Sequence, residues 1–299
     1  MNLEDLRTFV EVADSGGVAS GARRLGLPKS IVSRSLSRLE KSLGAQLISR
    51  TTRGSTLTEI GATFREYAVK IILELDAADE AISPEGEVRG TLRIAAPLSF
   101  GVTQLAPVFA ELARRHPKLK IDTSYSDRFV DLINEGFDCA VRMGLLPDSS
   151  MIARRICPFK GYMVATPDYL DRHGVPLTLD DLTEHEAVIK KGDSWPIKDL
   201  KSGKIIRVRP QGRLCADNGE AVLAGALAGV GIAVLPDFMI EKYMASGKLV
   251  PVLNDFPIPE LGMFVLLPPG TAATRKVRAL IDILIEKFGD ENSCKKPIK

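Results

Sequence analysis

Cations and hydroxyls, groups that bind phosphates and base edges, recur on one face of a predicted helix between Gly26 and Gly61. They recur every three or four residues, as on a single helix face, and no carboxylate lies among them. The face consists of Lys29, Ser30, Ser33, Arg34, Ser37, Arg38 and Lys41. It suits a groove lined by phosphates with base edges on its floor, so it predicts binding to double-stranded DNA.

Residues 46–58 predict a second contact with DNA. The run QLISRTTRGSTLT contains two short extended segments around a basic turn at Arg53-Gly54, which is typical of a wing beside a DNA-binding helix. We expect Arg50, Thr51 and Arg53 to hold phosphates. The major groove should instead receive the helix face, above all Ser33, Arg34 and Arg38, with Lys29 and Ser30 at the helix start.

Three helices must position the cationic face. Its helix should begin near Pro28, since proline is tolerated in a first turn, and an apolar stripe should face a core. That stripe is Val32, Leu36, Leu39 and Leu43, and the stripes of two earlier helices are Leu3, Leu6, Val10, Ala13 and Val18, Ala22, Leu25. A cationic helix face on its own is more often a solvated surface. Two helices and a tight turn before it form a helix-turn-helix, whose last helix enters the major groove.

The run VSRSLSRLEKSLGAQLISRTTRGSTLTEIG closely resembles the amino-terminal winged helix of LysR-type transcriptional regulators. That family's pattern is a Val-Ser-Arg turn, Leu-Glu, Leu-Gly, an Arg-rich wing and Leu-Thr-x-x-Gly. The residues in step with it are Val32, Ser33, Arg34, Leu39, Glu40, Leu43, Gly44, Arg50, Arg53, Leu57, Thr58 and Gly61. Ile48 and Ala19-Ser20-Gly21 depart from the usual pattern, and both departures concern packing. The resemblance implies a promoter-binding transcriptional regulator.

The distribution of charge, cysteine and histidine narrows the function further. Residues 1–58 hold nine Lys or Arg against five Asp or Glu, whereas residues 59–87 hold two against eight, so polyanion contact is expected in the amino-terminal part. The four cysteines show no CxxC or metal-ligand spacing, and the three histidines are scattered. No P-loop, GxGxxG, GxSxG or zinc motif is present. We expect no cofactor, no metal site and no catalysis.

The first residues carry acids where a secretory signal would need cations, and no segment approaches ~18 uncharged apolar residues. We therefore expect a cytoplasmic protein without membrane contact. Cys139 and Cys215 are expected to be buried, which argues against a redox switch, because reactive thiolates need cationic and partly exposed surroundings.

A long helix should follow the winged helix. From Glu59 to Ile82 the apolar residues step by four and three, as in a heptad seam. The seam is Phe64, Ala68, Ile71, Leu75, Ala78 and Ile82. We predict that it pairs with a second copy of the chain, the alternative being a helix that packs on its own domain. Residues 83–86 should form a hinge, and the family resemblance implies homotetramers built as pairs of homodimers.

From Gly90 onward strands alternate with helices, including a short helix predicted from Arg128 to Asn134. A βαβαβ order predicts a parallel sheet. This part resembles the effector-binding region of the same family, through Arg154-Arg155 and the runs at 164–170 and 229–236. The resemblance implies a two-lobed α/β fold like that of type 2 periplasmic binding proteins. The expected division is residues 1–58 for the winged helix-turn-helix, 59–89 for the linker, and 90–299 for the effector domain, with lobe one at 90–161 and 267–299 and lobe two at 162–266.

A solute-binding protein is the alternative that the effector domain alone would suggest, and the winged helix favours a regulator. We expect its effector between the lobes, because ligands lie beyond the carboxyl ends of parallel strands. The residues expected there are Leu98, Ser99, Phe100, Thr103, Asp127, Phe129, Arg142 and Asn218. This set predicts a small organic acid as the ligand. Free helix N–H groups, the Ser99 and Thr103 hydroxyls and the Arg142 guanidinium would bind its carboxylate. Phe100 and Phe129 would form apolar walls. Asp127 is an unfavourable charge for such a ligand.

Overall fold

The computed structural model describes residues 2–51, 54–82, 86–145, 151–192, 194–198, 200, 203–269 and 273–289. Three helices and a hairpin form the amino-terminal head, which ends at residue 58. The helices are α1 (Leu3–Asp14), α2 (Val18–Leu25) and α3 (Lys29–Leu43), and the strands are β1 (Ile48–Thr51) and β2 (Gly54–Leu57). Asn2 caps α1 by accepting a hydrogen bond from the Glu4 amide at 3.0 Å. Gly26 and Gly44 end α2 and α3 at a φ of 65°, a left-handed conformation that glycine adopts without a Cβ penalty.

The core of the head confirms the three predicted helices and corrects two of the predicted stripes. Leu6, Phe9 and Val12 are the buried apolar residues of α1, whereas Val10 is half-buried. Leu43 is 37% exposed, because it is the last residue of α3. The complete core is Leu6, Phe9, Val12, Val18, Ala22, Val32, Leu36, Leu39, Leu47, Ile48 and Ala68.

The linker helix α4 (Glu59–Ile82) is a single helix of 24 residues with the predicted bounds. At its start, the Thr58 hydroxyl accepts a hydrogen bond from the Gly61 amide at 2.9 Å. A Cβ on Gly61 would lie 2.0 Å from the carbonyl oxygen of Leu47, closer than any real contact. The Leu-Thr-x-x-Gly motif therefore fastens the linker helix against the strand that opens the wing.

The predicted seam of α4 divides into two halves. Ala68 is fully buried in the head, and the Phe64 ring packs on Phe9 with 5.5 Å between ring centroids. Ile71, Leu75 and Ile82 are 42%, 43% and 83% exposed. The first half thus packs on its own domain, and only the second half remains for a second copy.

Lobe one is a five-stranded sheet covered by helices. Its strands are β3 (Gly90–Ala96), β4 (Leu119–Tyr125), β5 (Cys139–Gly144), β6 (Ile152–Phe159) and β14 (Leu261–Leu267), in the order β4-β3-β5-β14-β6. β3 runs parallel to β4 and β5, as predicted, whereas β14 runs antiparallel to β5 and β6. Its helices are α5 (Leu98–Phe100), a π-helical turn (Gly101–Leu105), α6 (Ala106–Arg115) and α10 (Arg275–Phe288).

Lobe two is a second five-stranded sheet. Its strands are β7 (Gly161–Ala165), β8 (Ala187–Lys190), β11 (Leu214–Ala216), β12 (Ile232–Pro236) and β13 (Val250–Pro251), in the order β11-β8-β12-β7-β13. Its helices are α7 (Pro167–His173), a 3-10 turn (Asp180–Glu184), α8 (Gly219–Leu227) and α9 (Asp237–Ala245). A separate hairpin is formed by β9 (Trp195–Lys198) and β10 (Ile205–Val208).

The structure moves one lobe boundary and removes one helix. All of β14 belongs to the sheet of lobe one. The chain therefore returns from lobe two to lobe one before Leu261, and not at 266–267. Residues 128–134 form loop and turns, not the predicted helix, because Asp131 and Glu135 bond the local backbone amides instead. In the part of the chain described above, no helix combines the length and hydropathy needed to cross a bilayer.

Candidate DNA-binding surface and effector cleft

The polar face of α3 lies on the outside of the head. Lys29, Ser30, Arg34 and Ser37 are exposed, and Ser33 is half-buried. Among the described residues, the Arg34 guanidinium reaches only the carbonyl oxygen of Ser30, at 3.4 Å. These side chains are therefore available to a groove.

Arg38 has a partner within the head. Its Nη2 lies 2.6 Å from Oδ1 of Asp5 and its Nε lies 3.1 Å from Oδ2, so the contact is bidentate. The hydrogen bonds from Arg38 hold the pKa of the Asp5 carboxyl below its usual range. Asp5 is buried and the Arg38 side chain is 62% exposed, so α1 fixes the direction in which this guanidinium points.

The wing is anchored on α3 by a carboxylate. Glu40 accepts hydrogen bonds from the Leu47 and Ile48 amides at 2.8 and 3.1 Å, and Ile48 then pairs with Leu57 across the hairpin. The Leu-Glu element of the sequence pattern thus holds wing and helix together. Arg50 and Thr51 lie on β1, and Arg53 falls outside the described residues.

A buried ion cluster joins the head, the linker and lobe one. Asp14, at the end of α1, has a 3% exposed side chain and lies 2.5 Å from Nη2 of Arg65 on α4. Its second oxygen binds Nη1 of Arg93 on β3. Arg65 also donates to the carbonyl oxygen of Ile133 at 3.1 Å. We call Asp14, Arg65 and Arg93 the junction cluster.

A second group of charges continues the junction cluster toward the surface. Arg24, on α2, lies 2.5 Å from Glu11 and 2.6 Å from Asp122 on β4. Lys120 donates to the carbonyl oxygen of Arg24 at 3.0 Å. Head and effector domain are therefore bonded to each other as well as joined by the chain.

Asp127 lies where the effector carboxylate was expected. Its Oδ1 accepts the hydrogen bond of the Leu98 amide at 2.9 Å, so this helix N–H group is occupied by the protein's own carboxylate. Its Oδ2 lies 3.5 Å from Nζ of Lys190, at the carboxyl end of β8 in lobe two. This ion pair spans the cleft.

Ser99 also faces lobe two. Its Oγ is buried and has no hydrogen-bond partner among the described residues. A Cβ placed on Gly219, at the start of α8, would lie 3.7 Å from this oxygen. Thr103 turns its hydroxyl to the Ser99 carbonyl oxygen at 2.9 Å. A π-helical turn follows Ser99, a local irregularity that often marks functional sites.

Two expected effector residues have other surroundings. Phe100 is 2% exposed and packs on Phe238, with 4.8 Å between ring centroids, so it is a core residue and not a wall of the cleft. Arg142 donates to the carbonyl oxygens of Ser126 and Arg128 at 2.9 and 2.8 Å, and it holds the loop after β4 instead of clamping a ligand. Burial lowers the pKa of Arg142, and nearby Asp127 opposes that shift.

The remaining two expected residues lie in different lobes. Phe129 is 74% exposed. Asn218 caps α8 by accepting a hydrogen bond from the Ala221 amide at 3.0 Å, and its amide nitrogen donates to Asp217.

Two family models together match almost the whole chain. The model for bacterial regulatory helix-turn-helix proteins of the lysR family matches residues 3–62, and the model for the LysR substrate binding domain matches residues 85–289. The chain belongs to the LysR family. It is a LysR-type transcriptional regulator with a helix-turn-helix head and an effector-binding domain.

Relatives match this LysR-type chain along its length. The transcriptional regulator PtxR of Pseudomonas aeruginosa is 36% identical over 97% of this chain and 94% of its own. The structure of CrgA from Neisseria meningitidis, a LysR-type regulator, matches with a TM-score of 0.56 at 31% identity, covering 97% of this chain and 100% of its own. The full-length Vibrio cholerae virulence activator AphB gives a TM-score of 0.57 at 29% identity, with 96% and 99% covered.

The LysR-type sequence pattern located the head, but it missed the groups that join separate elements. Lys190 was not among the expected effector residues, although it ends β8. Asp14 and Arg65 carried no signal, because an acid at a helix end and an arginine on a linker helix are ordinary surface residues. Cys139 is buried, as expected, and burial raises the pKa of its thiol, whereas Cys215 is exposed and that expectation was wrong.

Proposed function

We propose that this LysR-type regulator acts in the cytoplasm as a homo-oligomer that binds promoter DNA through α3 and the wing and senses a small organic acid between its lobes. The observation that carries the effector site is the approach of the two lobes at Ser99 and Gly219, next to the ion pair of Asp127 with Lys190. A ligand entering there changes the lobe angle and, through the linker, the spacing of paired heads on DNA.

The exposed face of α3 supports the assignment of base contacts to Arg34 and its neighbours, and of phosphate contacts to the wing. Arg34 makes no ion pair among the described residues, so it can approach base edges at little cost. We expect Arg34→Ala to weaken specific binding by about 1–3 kcal/mol and to blur one base position. Loss of a phosphate contact would instead weaken binding to all sequences alike and lower the salt slope by about one.

Fluorescence anisotropy with duplex DNA from upstream of the protein's own coding region tests this assignment. Arg114→Ala is the matched control, because it removes an arginine that is 74% exposed on α6, far from the head in the chain. We expect the control to bind as the parent does. Unchanged affinity and unchanged sequence preference in Arg34→Ala would mean that α3 does not read the groove as proposed.

The uncovered second half of α4 supports pairing with a second copy. Of its apolar seam, Ile71, Leu75 and Ile82 are 42%, 43% and 83% exposed. A homodimer through this helix, assembled further into a tetramer, would place two heads on one face of the DNA.

Leu75→Glu tests the pairing, because it would place an unpaired charge in an apolar interface. We expect light scattering to report a smaller particle than the parent. Lys70→Glu is the control, since Lys70 is exposed and lies off the heptad seam. A Leu75→Glu variant with the parent's mass would exclude this helix as the interface.

Thermal shift with small carboxylic acids tests the cleft. Lys190 is the cation and Ser99 the free hydroxyl that a carboxylate would meet there. We expect a ligand that stabilises the parent to lose its effect on Ser99→Ala and Lys190→Gln. Equal stabilisation of the parent and both variants would place the ligand outside the cleft.

A further inference from the structure

The strongest unassigned feature of the cleft is the Asp127 carboxylate. Its side chain is only 11% exposed, and the Leu98 amide fixes one of its oxygens at 2.9 Å. The only cation paired with the other oxygen among the described residues is Lys190, across the cleft at 3.5 Å. That distance exceeds the ordinary range of a hydrogen bond, so the two groups face each other without closing the contact.

A ligand that brings only a carboxylate meets a penalty at this position. Its charge would draw Lys190 away from Asp127 and leave a mostly buried carboxylate without its counter-ion. Breaking such a pair by withdrawing one partner is strongly unfavourable, because the remaining charge is left desolvated. The ligand's own carboxylate would also repel Asp127.

A ligand with an ammonium group removes this penalty. The ammonium would replace Lys190 as the partner of Asp127, and the ligand's carboxylate would take Lys190, so that all four charges are paired. Ser99 provides the independent observation, because its buried Oγ has no partner and lies beside the first residue of α8. This hydroxyl can donate to the same carboxylate.

We infer that the effector is a standard α-amino acid, which carries an ammonium and a carboxylate on one carbon, and that Asp127 selects it. The inference rests on the proposed effector cleft and deepens it. Lys190 and Ser99 hold the carboxylate, and Asp127 holds the ammonium. Arg142 and Arg128 also carry positive charge near Asp127, but the Arg142 guanidinium bonds two backbone carbonyls and Arg128 pairs with Glu135.

The test uses the full-length protein in a thermal-shift assay with the twenty standard amino acids, each paired with its des-amino acid and its decarboxylated amine. The hit is then titrated by calorimetry. We expect one or a few amino acids to stabilise the parent, and the matched des-amino acid to bind at least about tenfold more weakly, as loss of a charged hydrogen bond implies. Asp127→Asn should reduce that discrimination to about twofold or less.

Lys190→Gln should weaken the binding of both the amino acid and the des-amino acid. Lys191→Gln, which removes the exposed neighbouring charge, should change neither affinity. A des-amino acid that binds the parent as tightly as the amino acid, and that needs Ser99 and Lys190, would overturn the inference while the cleft stands. A ligand indifferent to Ser99→Ala and Lys190→Gln would overturn the cleft itself. A parent stabilised by none of the twenty amino acids also contradicts the inference, and this comparison needs no variant.

Discussion

Replacement of Asp14 by alanine is the sharpest test of the junction cluster. This one carboxylate neutralises two guanidiniums, Arg65 with a 6% exposed side chain and Arg93 with a 15% exposed side chain. Removal of one partner from a buried ion pair costs about 3–5 kcal/mol, because the remaining charge stays desolvated. Arg93 keeps Asp122 at 3.7 Å and Arg65 keeps the Ile133 carbonyl at 3.1 Å. The expected cost therefore lies at the lower end, about 3 kcal/mol.

Hydrogen exchange followed by mass spectrometry measures this loss of stability separately in each segment of the chain. Amides of α1 and of the first turns of α4 should exchange roughly a hundredfold faster in Asp14→Ala, since each 1.4 kcal/mol is a factor of ten. Global denaturation followed by tryptophan fluorescence would miss the effect, because Trp195 is the protein's one tryptophan and lies in the β9–β10 hairpin, in the lobe-two segment of the chain.

The control for Asp14→Ala is Arg114→Ala, which breaks an exposed pair with Glu111 of the kind worth about 0–1 kcal/mol. Its exchange in α1 and α4 should equal that of the parent. If α1 of Asp14→Ala exchanges within twofold of the parent, the junction cluster does not hold the head to lobe one.

Two further predictions concern acid and thiol chemistry. Because Arg38 lowers the folded-state pKa of Asp5, the pair contributes stability that is present above the unfolded-state value of about 3.9 and is lost as the pH falls through the folded value. Asp5→Asn should therefore flatten the acid limb of the head's stability below about pH 4, measured by helicity against pH, and an unchanged acid limb would contradict the assignment. Cys215→Ser should remove a thiol that reacts rapidly with a disulfide reagent in the native protein, whereas Cys139→Ser should leave the rapid phase intact; a rapid phase lost only in Cys139→Ser would contradict the burial of that thiol.

Elements whose pattern is local could be predicted from the sequence to within a residue or two. The linker helix has the expected bounds, since its apolar period determines it. The resemblance to LysR-type regulators supplied the two lobes. The order of the strands required tertiary information, because β14 is remote in the chain from the strands it joins.

The side-chain contacts of the expected effector residues could not be predicted from the sequence. The pattern placed Phe100 and Arg142 after strands, but side-chain direction depends on packing between elements. Phe100 turned into the core, and Arg142 was used to support a loop. The junction cluster could not be predicted from the sequence, because Asp14 is 51 residues from Arg65 and 79 from Arg93 in the chain. Only the folded chain brings these charges into contact.

The bonds between head and lobe one have a consequence for the order of events in the cell. Coupling between two binding sites is reciprocal, so whatever factor the effector applies to DNA affinity, DNA applies to effector affinity. The junction cluster ties α1 and α4 to β3, the strand that leads to Ser99. Protein bound to a promoter would then respond to a different effector concentration from free protein in the cell. The promoter itself would set the effector concentration at which its gene is switched.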